Sequence, residues 1–118
     1  MKQLDIVIPK CDYLSIPFSY KVNNELARLG ETDIIYFSLK EKLSSEEYIF
    51  QKTLGNGITY NEENEKYYIE FFYEDTKELI MGANYLYDLT IYYEGKKPVQ
   101  KLFGNFKVGP KITLNEVV

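Results

Sequence analysis

Carboxylates stand side by side at Glu46/Glu47, Glu62/Glu63 and Glu74/Asp75, the arrangement that first invites thoughts of acid–base chemistry. A glycosidase needs two carboxylates facing across a cleft at a set separation, and adjacency in a polar loop does not supply that. These pairs therefore read as solvated turns. Asn61-Glu62-Glu63-Asn64-Glu65 offers oxygen ligands for Ca²⁺, yet the spacing and glycine of an EF-hand loop are missing. Ser19 and Thr90 have no activating base, because the chain contains no histidine. Cys11, the single cysteine, lacks that partner too and reads as a small apolar filler or an idle surface thiol. Gly55-Asn56-Gly57 is followed by neither the Lys-Ser/Thr nor the helix of a phosphate loop. The expectation is no catalytic residue, no metal, no cofactor and no enzyme.

Composition bounds the rest. A chain of 118 residues fits one compact domain, read as residues 1–118, with a core that needs no metal or disulfide. One cysteine cannot form an intrachain disulfide, so nothing points to an oxidising compartment. The net charge of −4, with acids and bases scattered, lacks the basic field a phosphate backbone requires, so no nucleic-acid partner is expected. Neither a signal peptide nor a membrane span is legible, which predicts a protein made and used in solution. Twelve Tyr and seven Phe, with no Trp, bias the chain towards pleated, half-buried surfaces.

Alternation of polarity supplies the elements. Lys2 to Ile8 predicts a strand stopped by Pro9, with Leu4, Ile6 and Ile8 on one face. The stretch 1–13 stays open as first strand or N-terminal extension. Ser15 to Val22 predicts a second strand, and Pro17 places it at a sheet edge. Asn23 to Gly30 reads as a loop with at most one helical turn. Asp33 to Lys40 is strand, with Ile35, Phe37 and Leu39 inward. Tyr48 to Leu54 and Ile58 to Tyr60 flank the Gly55-Asn56-Gly57 turn, where positive φ is expected. Lys66 to Tyr73 returns as an aromatic strand. Asp75 and Glu78 form a capping box for one helical turn that Gly82 ends. Asn84 to Tyr93 is the longest alternation, and Val99 to Val108 pairs back on it as a hairpin. Lys111 to Leu114 is left as strand or tail. Seven or eight short strands with frequent turns predict an all-β, immunoglobulin-like antiparallel β-sandwich, with Ile35, Phe37, Ile69, Leu89 and Phe106 buried together. Tyr85 is placed as the structural corner residue, its hydroxyl bonding the upstream backbone. The alternative is that Tyr85 and Tyr87 are ordinary half-buried strand residues.

Three stretches carry a family resemblance. Asp33-Ile34-Ile35-Tyr36-Phe37-Ser38-Leu39-Lys40 resembles a strand reading V-x-F-x-V-K. Gln51-Lys52-Thr53-Leu54-Gly55-Asn56-Gly57-Ile58 resembles a turn reading K-x-x-G-x-G-I. Gly82-Ala83-Asn84-Tyr85-Leu86-Tyr87-Asp88-Leu89, then Gly95, then Leu102-Phe103-Gly104-Asn105-Phe106-Lys107-Val108 resembles a G-x-Y-x-Y-D-[IL] strand with an L-x-G-x-F-x-V return. In this order and spacing they resemble the short immunoglobulin-like domains of tailed-phage virions, typified by the N-terminal domain of baseplate upper proteins. The resemblance covers roughly residues 15 to 114. Leu29-Gly30-Glu31-Thr32-Asp33 departs from the family's L-T-G-A-T, and Met1 to Tyr13 has no counterpart. In baseplate proteins a receptor-binding or trimerising portion follows this domain, so a chain of one domain is not expected to be such a fibre by itself.

The resemblance implies a structural or accessory protein of a baseplate, tail or head, present in several copies and partnered by other virion proteins. It would dock through sheet surface or edge. Twelve tyrosines exceed what such a core hides, and Tyr36, Tyr68 and Tyr92, opposite the inward sets, are the candidate interface. Plain decoration of edge strands is the competing reading of these three. The competing function is a carbohydrate- or host-surface-binding module. Exposed aromatics beside Asn or Asp in a concavity would favour it over a flat patch.

Overall fold

The computed structural model describes residues 2–114; Met1 and residues 115–118, part of the single-domain reading, lie outside the described residues. In chain order the strands are β1 (Lys2–Gln3), β2 (Ile6–Pro9), β3 (Leu14–Phe18), β4 (Lys21–Val22), β5 (Glu25–Leu26), β6 (Ile34–Lys40), β7 (Phe50–Leu54), β8 (Gly57–Asn61) and β9 (Lys66–Phe71). A single-turn helix α1 (Tyr73–Lys77) then leads to β10 (Asn84–Tyr93) and β11 (Lys97–Gly109). Three of these strands, β1, β4 and β5, have two residues each, which accounts for the excess over the expected seven or eight.

The longest alternations form the middle of the sheet. β10 buries Tyr85, Tyr87, Leu89 and Ile91, and it lies between β6, which buries Ile35, Phe37 and Leu39, and β11. The sheet runs β1-β11-β10-β6-β7-β8-β9-β3, with β2 also on β11. It is one continuous all-β sheet that curls over, its two halves facing each other across a single core. Phe37 of β6 meets Phe71 of β9 at 5.2 Å between ring centroids, and Phe71 meets Phe106 of β11 at 5.4 Å. All five residues expected to share the core do so. Most pairings are antiparallel, but β1 and β2 run parallel to β11 and a short parallel bridge joins β7 to β8.

That bridge is where the chain passes from one half to the other. Gly55 and Gly57 take φ of 86° and 95°, and a Cβ on Gly57 would lie 2.7 Å from the Lys52 side chain. Only glycine satisfies both demands.

Several expectations are corrected. Lys2 to Ile8 is two strands, because the chain kinks at Leu4 and Asp5. There Leu4 bonds Phe103 and Tyr87 through its backbone, Asp5 caps the Asn105 N–H, and Leu4 turns outward. A Cβ at Gly104 would collide with the Leu4 carbonyl, so this glycine admits the kinked segment. Ser15 to Val22 likewise ends at Phe18. The Asn-rich loop after it is a β4–β5 hairpin, with Asn23 and Asn24 both at positive φ, the backbone of a type I′ turn. Asp75 is not the helix cap but sits three residues inside it, its carboxylate accepting the Phe72 N–H at 2.8 Å. Residues 111–114 are not strand.

Tyr85 pins the turn after α1. Its ring is buried at the start of β10, and its hydroxyl accepts the Ile80 N–H at 3.0 Å. Tyr85→Phe removes that acceptor and should destabilise the fold by about 1 kcal/mol, read as a lowered urea midpoint. An unchanged midpoint would remove the corner role.

Candidate functional site

On the outer face of β7, β6, β10 and β11 the register assembles rows of side chains that the sequence scatters. Gln51 pairs with Ser38, Ser38 with Asp88, and Asp88 with Phe103. The next row sets Tyr36 beside Thr90 and Thr90 beside Gln100. Tyr92 lies two residues further along β10 and meets the Tyr36 ring edge-on at 5.9 Å. The loop after β6 supplies a wall through Leu43 and Tyr48. The ammonium of Lys40, the last residue of β6, lies 5.1 Å above the Tyr48 ring and donates to the Ser45 carbonyl at 2.9 Å. Together these residues line an open trough of about 520 Å³, within the 300–1,000 Å³ span common to small-ligand sites.

The floor is rich in acceptors. The Gln51 amide donates to Ser38 Oγ at 2.9 Å and the Gln100 amide donates to Asp88 Oδ2 at 3.1 Å. Among the described residues neither amide carbonyl, nor the second oxygen of Asp88, receives a hydrogen bond from the protein. Gln100 is there because of a bulge. The β10–β11 register slips between Leu89 and Thr90, so Gln100 turns to the outer face although Leu102, of the same parity, is buried.

Of the three candidate interface tyrosines, Tyr36 and Tyr92 come together in this trough. Tyr68 does not join them. It lies on the outer face of β9, in the other half of the sheet, where its hydroxyl accepts from the Asn64 amide at 2.5 Å. Alternation identified Tyr36 and Tyr92 as outward. The roles of Gln51, Asp88 and Gln100 were missed, since their meeting depends on register and on the bulge.

Sequence reasoning also missed a buried ion pair. Lys52 falls in the inward register of β7, and its ammonium lies 2.9 Å from Asp75 Oδ2. It also faces the rings of Phe50 and Phe71 at 5.2 and 5.5 Å. The signal was a lysine between Phe50 and Leu54 in an alternating strand. Beneath the trough, burial pushes the Tyr87 phenol up to about 12, with the Asp5 carboxylate adding to the shift. Its hydroxyl donates to the Leu4 carbonyl at 2.5 Å. Among the described residues no group of His, Cys, Asp and Glu is placed to hold a metal ion, and no helix is long and apolar enough to cross a membrane.

Fold and trough define an all-β domain with an open, partly aromatic trough on one face of its sheet. No protein-family model matches the chain, and no curated protein matches it significantly.

Proposed function

We propose that the protein is a non-enzymatic accessory component of a tailed-phage virion, held there in several copies by contacts with other virion proteins. One observation carries this reading. The stretches resembling the phage domains, spread over Asp33 to Val108, lie side by side as β7, β6, β10 and β11 and reach only the first two residues of β8, so the resemblance falls mainly on one contiguous half-sheet. The contacts are assigned to the end of the domain around α1. Tyr13 and Phe72 are exposed there with ring centroids 5.5 Å apart, and Ile80 and Met81 are exposed just after the helix. The Cys11 N–H donates to Thr76 Oγ1 at 2.7 Å and holds the Tyr13 loop against α1. Edge docking is disfavoured. The outer strands β3 and β2 carry Pro17 and Pro9, which interrupt the row of backbone donors that an added strand would need.

The test is tandem mass spectrometry of purified particles, with recovery in several copies expected. Phe72→Ser with Ile80→Ser should lower incorporation several-fold and leave the fold intact, because serine is a good residue at a helix N-cap. Particles with no trace of the protein would end this reading.

A further inference from the structure

The trough lies on the outer face of the half-sheet, on side chains distinct from the exposed apolar group around α1, and its chemistry selects a different kind of ligand. We infer that it is a binding site for a neutral saccharide. Its lining carries three side-chain acceptors with no protein donor among the described residues, namely the Gln51 and Gln100 carbonyls and one oxygen of Asp88. Thr90, beside Gln100 in the β10–β11 register, adds a hydroxyl to the lining. A ligand that satisfies this floor must donate several hydrogen bonds from closely spaced groups, which vicinal hydroxyls of a pyranose do. The walls are aromatic: Tyr36 and Tyr92 meet edge-on on one side, and Phe103 and Tyr48 line the rest. A pyranose presents an apolar C–H face to such rings while its rim hydroxyls reach the acceptors, so one ligand meets both demands.

Charge narrows the class. Asp88 has no ion-pair partner within 4.0 Å among the described residues, so a hydroxyl donated to it makes a charge-assisted bond. The same carboxylate repels an acidic sugar. The nearby Lys40 ammonium is already engaged by the Ser45 carbonyl and the Tyr48 ring. A peptide fits less well, since an extended backbone spaces its N–H donors two residues apart on each side.

The experiment titrates the full chain with neutral tetrasaccharides of glucose, mannose, galactose and N-acetylglucosamine, and with tetragalacturonate as the acidic counterpart. Binding is read by backbone amide shifts and calorimetry. At least one neutral tetrasaccharide should saturate at millimolar concentration or below, with shifts confined to the Gln51, Asp88, Thr90 and Gln100 region. Asp88→Ala and Tyr92→Ala should each weaken binding about tenfold or more, as loss of a charge-assisted bond or a stacking ring predicts. Both residues face outward, and Gln51→Ala provides a third variant if either fails to fold. The inference is overturned if no neutral sugar binds, if tetragalacturonate binds as well, or if the variants bind like the parent. Concentration-dependent shifts of the same amides without sugar would also overturn it, by assigning the trough to self-association. None of these outcomes depends on whether the protein is found in particles.

Discussion

Asp75→Ala should cost about 3–5 kcal/mol, because it leaves the Lys52 ammonium buried without its counter-charge. The Lys52 side chain is 9 % exposed and Asp75 18 %, so water screens the pair little. The same Asp75 oxygen also accepts the Phe72 N–H at 2.8 Å, so its loss opens the start of α1 as well. Total stability of a domain this size is about 5–15 kcal/mol, so the variant should lie near its unfolding threshold at 37 °C. Asp75→Asn separates the two effects: an amide oxygen still receives the Phe72 N–H but leaves the lysine unpaired. Lys52→Met on the Asp75→Ala background should recover much of the loss, since a long apolar side chain suits a pocket between Phe50 and Phe71. Urea denaturation of the two singles and the double closes the cycle. A loss below about 1 kcal/mol for Asp75→Ala would mean that the pair is solvated like a surface bridge.

Phe37→Ala should be comparably damaging, at about 3–5 kcal/mol. Phe37 is fully buried, and its ring is the meeting point of both halves of the sheet. It stacks on Tyr87 at 5.0 Å, meets Phe71 edge-on at 5.2 Å, and lies 6.3 Å from both Phe50 and Phe106. Those four rings come from four different strands, β10, β9, β7 and β11. Removing the ring leaves a cavity that none of them can fill alone, because each is fixed by its own strand register. Phe37→Leu keeps most of the volume and should lose less than half as much. Thermal unfolding of the three proteins checks the order. Equal midpoints for Phe37→Ala and the parent would exclude a close-packed contact between the halves.

The inward face of each long strand was open to reading from sequence, because a strand's side chains alternate and a buried face must be apolar. Ile35, Phe37 and Leu39, and again Tyr85, Tyr87, Leu89 and Ile91, carry that pattern without interruption, and all are buried. Gly55-Asn56-Gly57 was equally legible, since few other residues accept positive φ. Where alternation is short or competes with local bonding, the sequence was ambiguous. Asn23-Asn24 serves a helix cap and a type I′ turn equally well by residue type, and the pairing of Lys21 with Leu26 decides for the turn. Leu4 fits an inward position in its own strand, but the bonds of Leu4 and Asp5 to β11 bend the chain and turn it out.

By itself the sequence determined an all-β chain rich in tyrosine, with an apolar set for one core and too many aromatics to hide there. Local polarity sets those properties, and each is visible within a few residues. The tertiary structure decided everything that needs a neighbour from far along the chain. Register placed Asp88 beside Ser38 and Gln51, a bulge turned Gln100 out to meet it, and the curl of the sheet put Lys52 against Asp75. The same curl set Tyr68 on the half of the sheet away from Tyr36 and Tyr92. These are long-range choices because a one-residue slip in pairing reverses every side chain of a strand, and only the packing of the whole core selects among the slips.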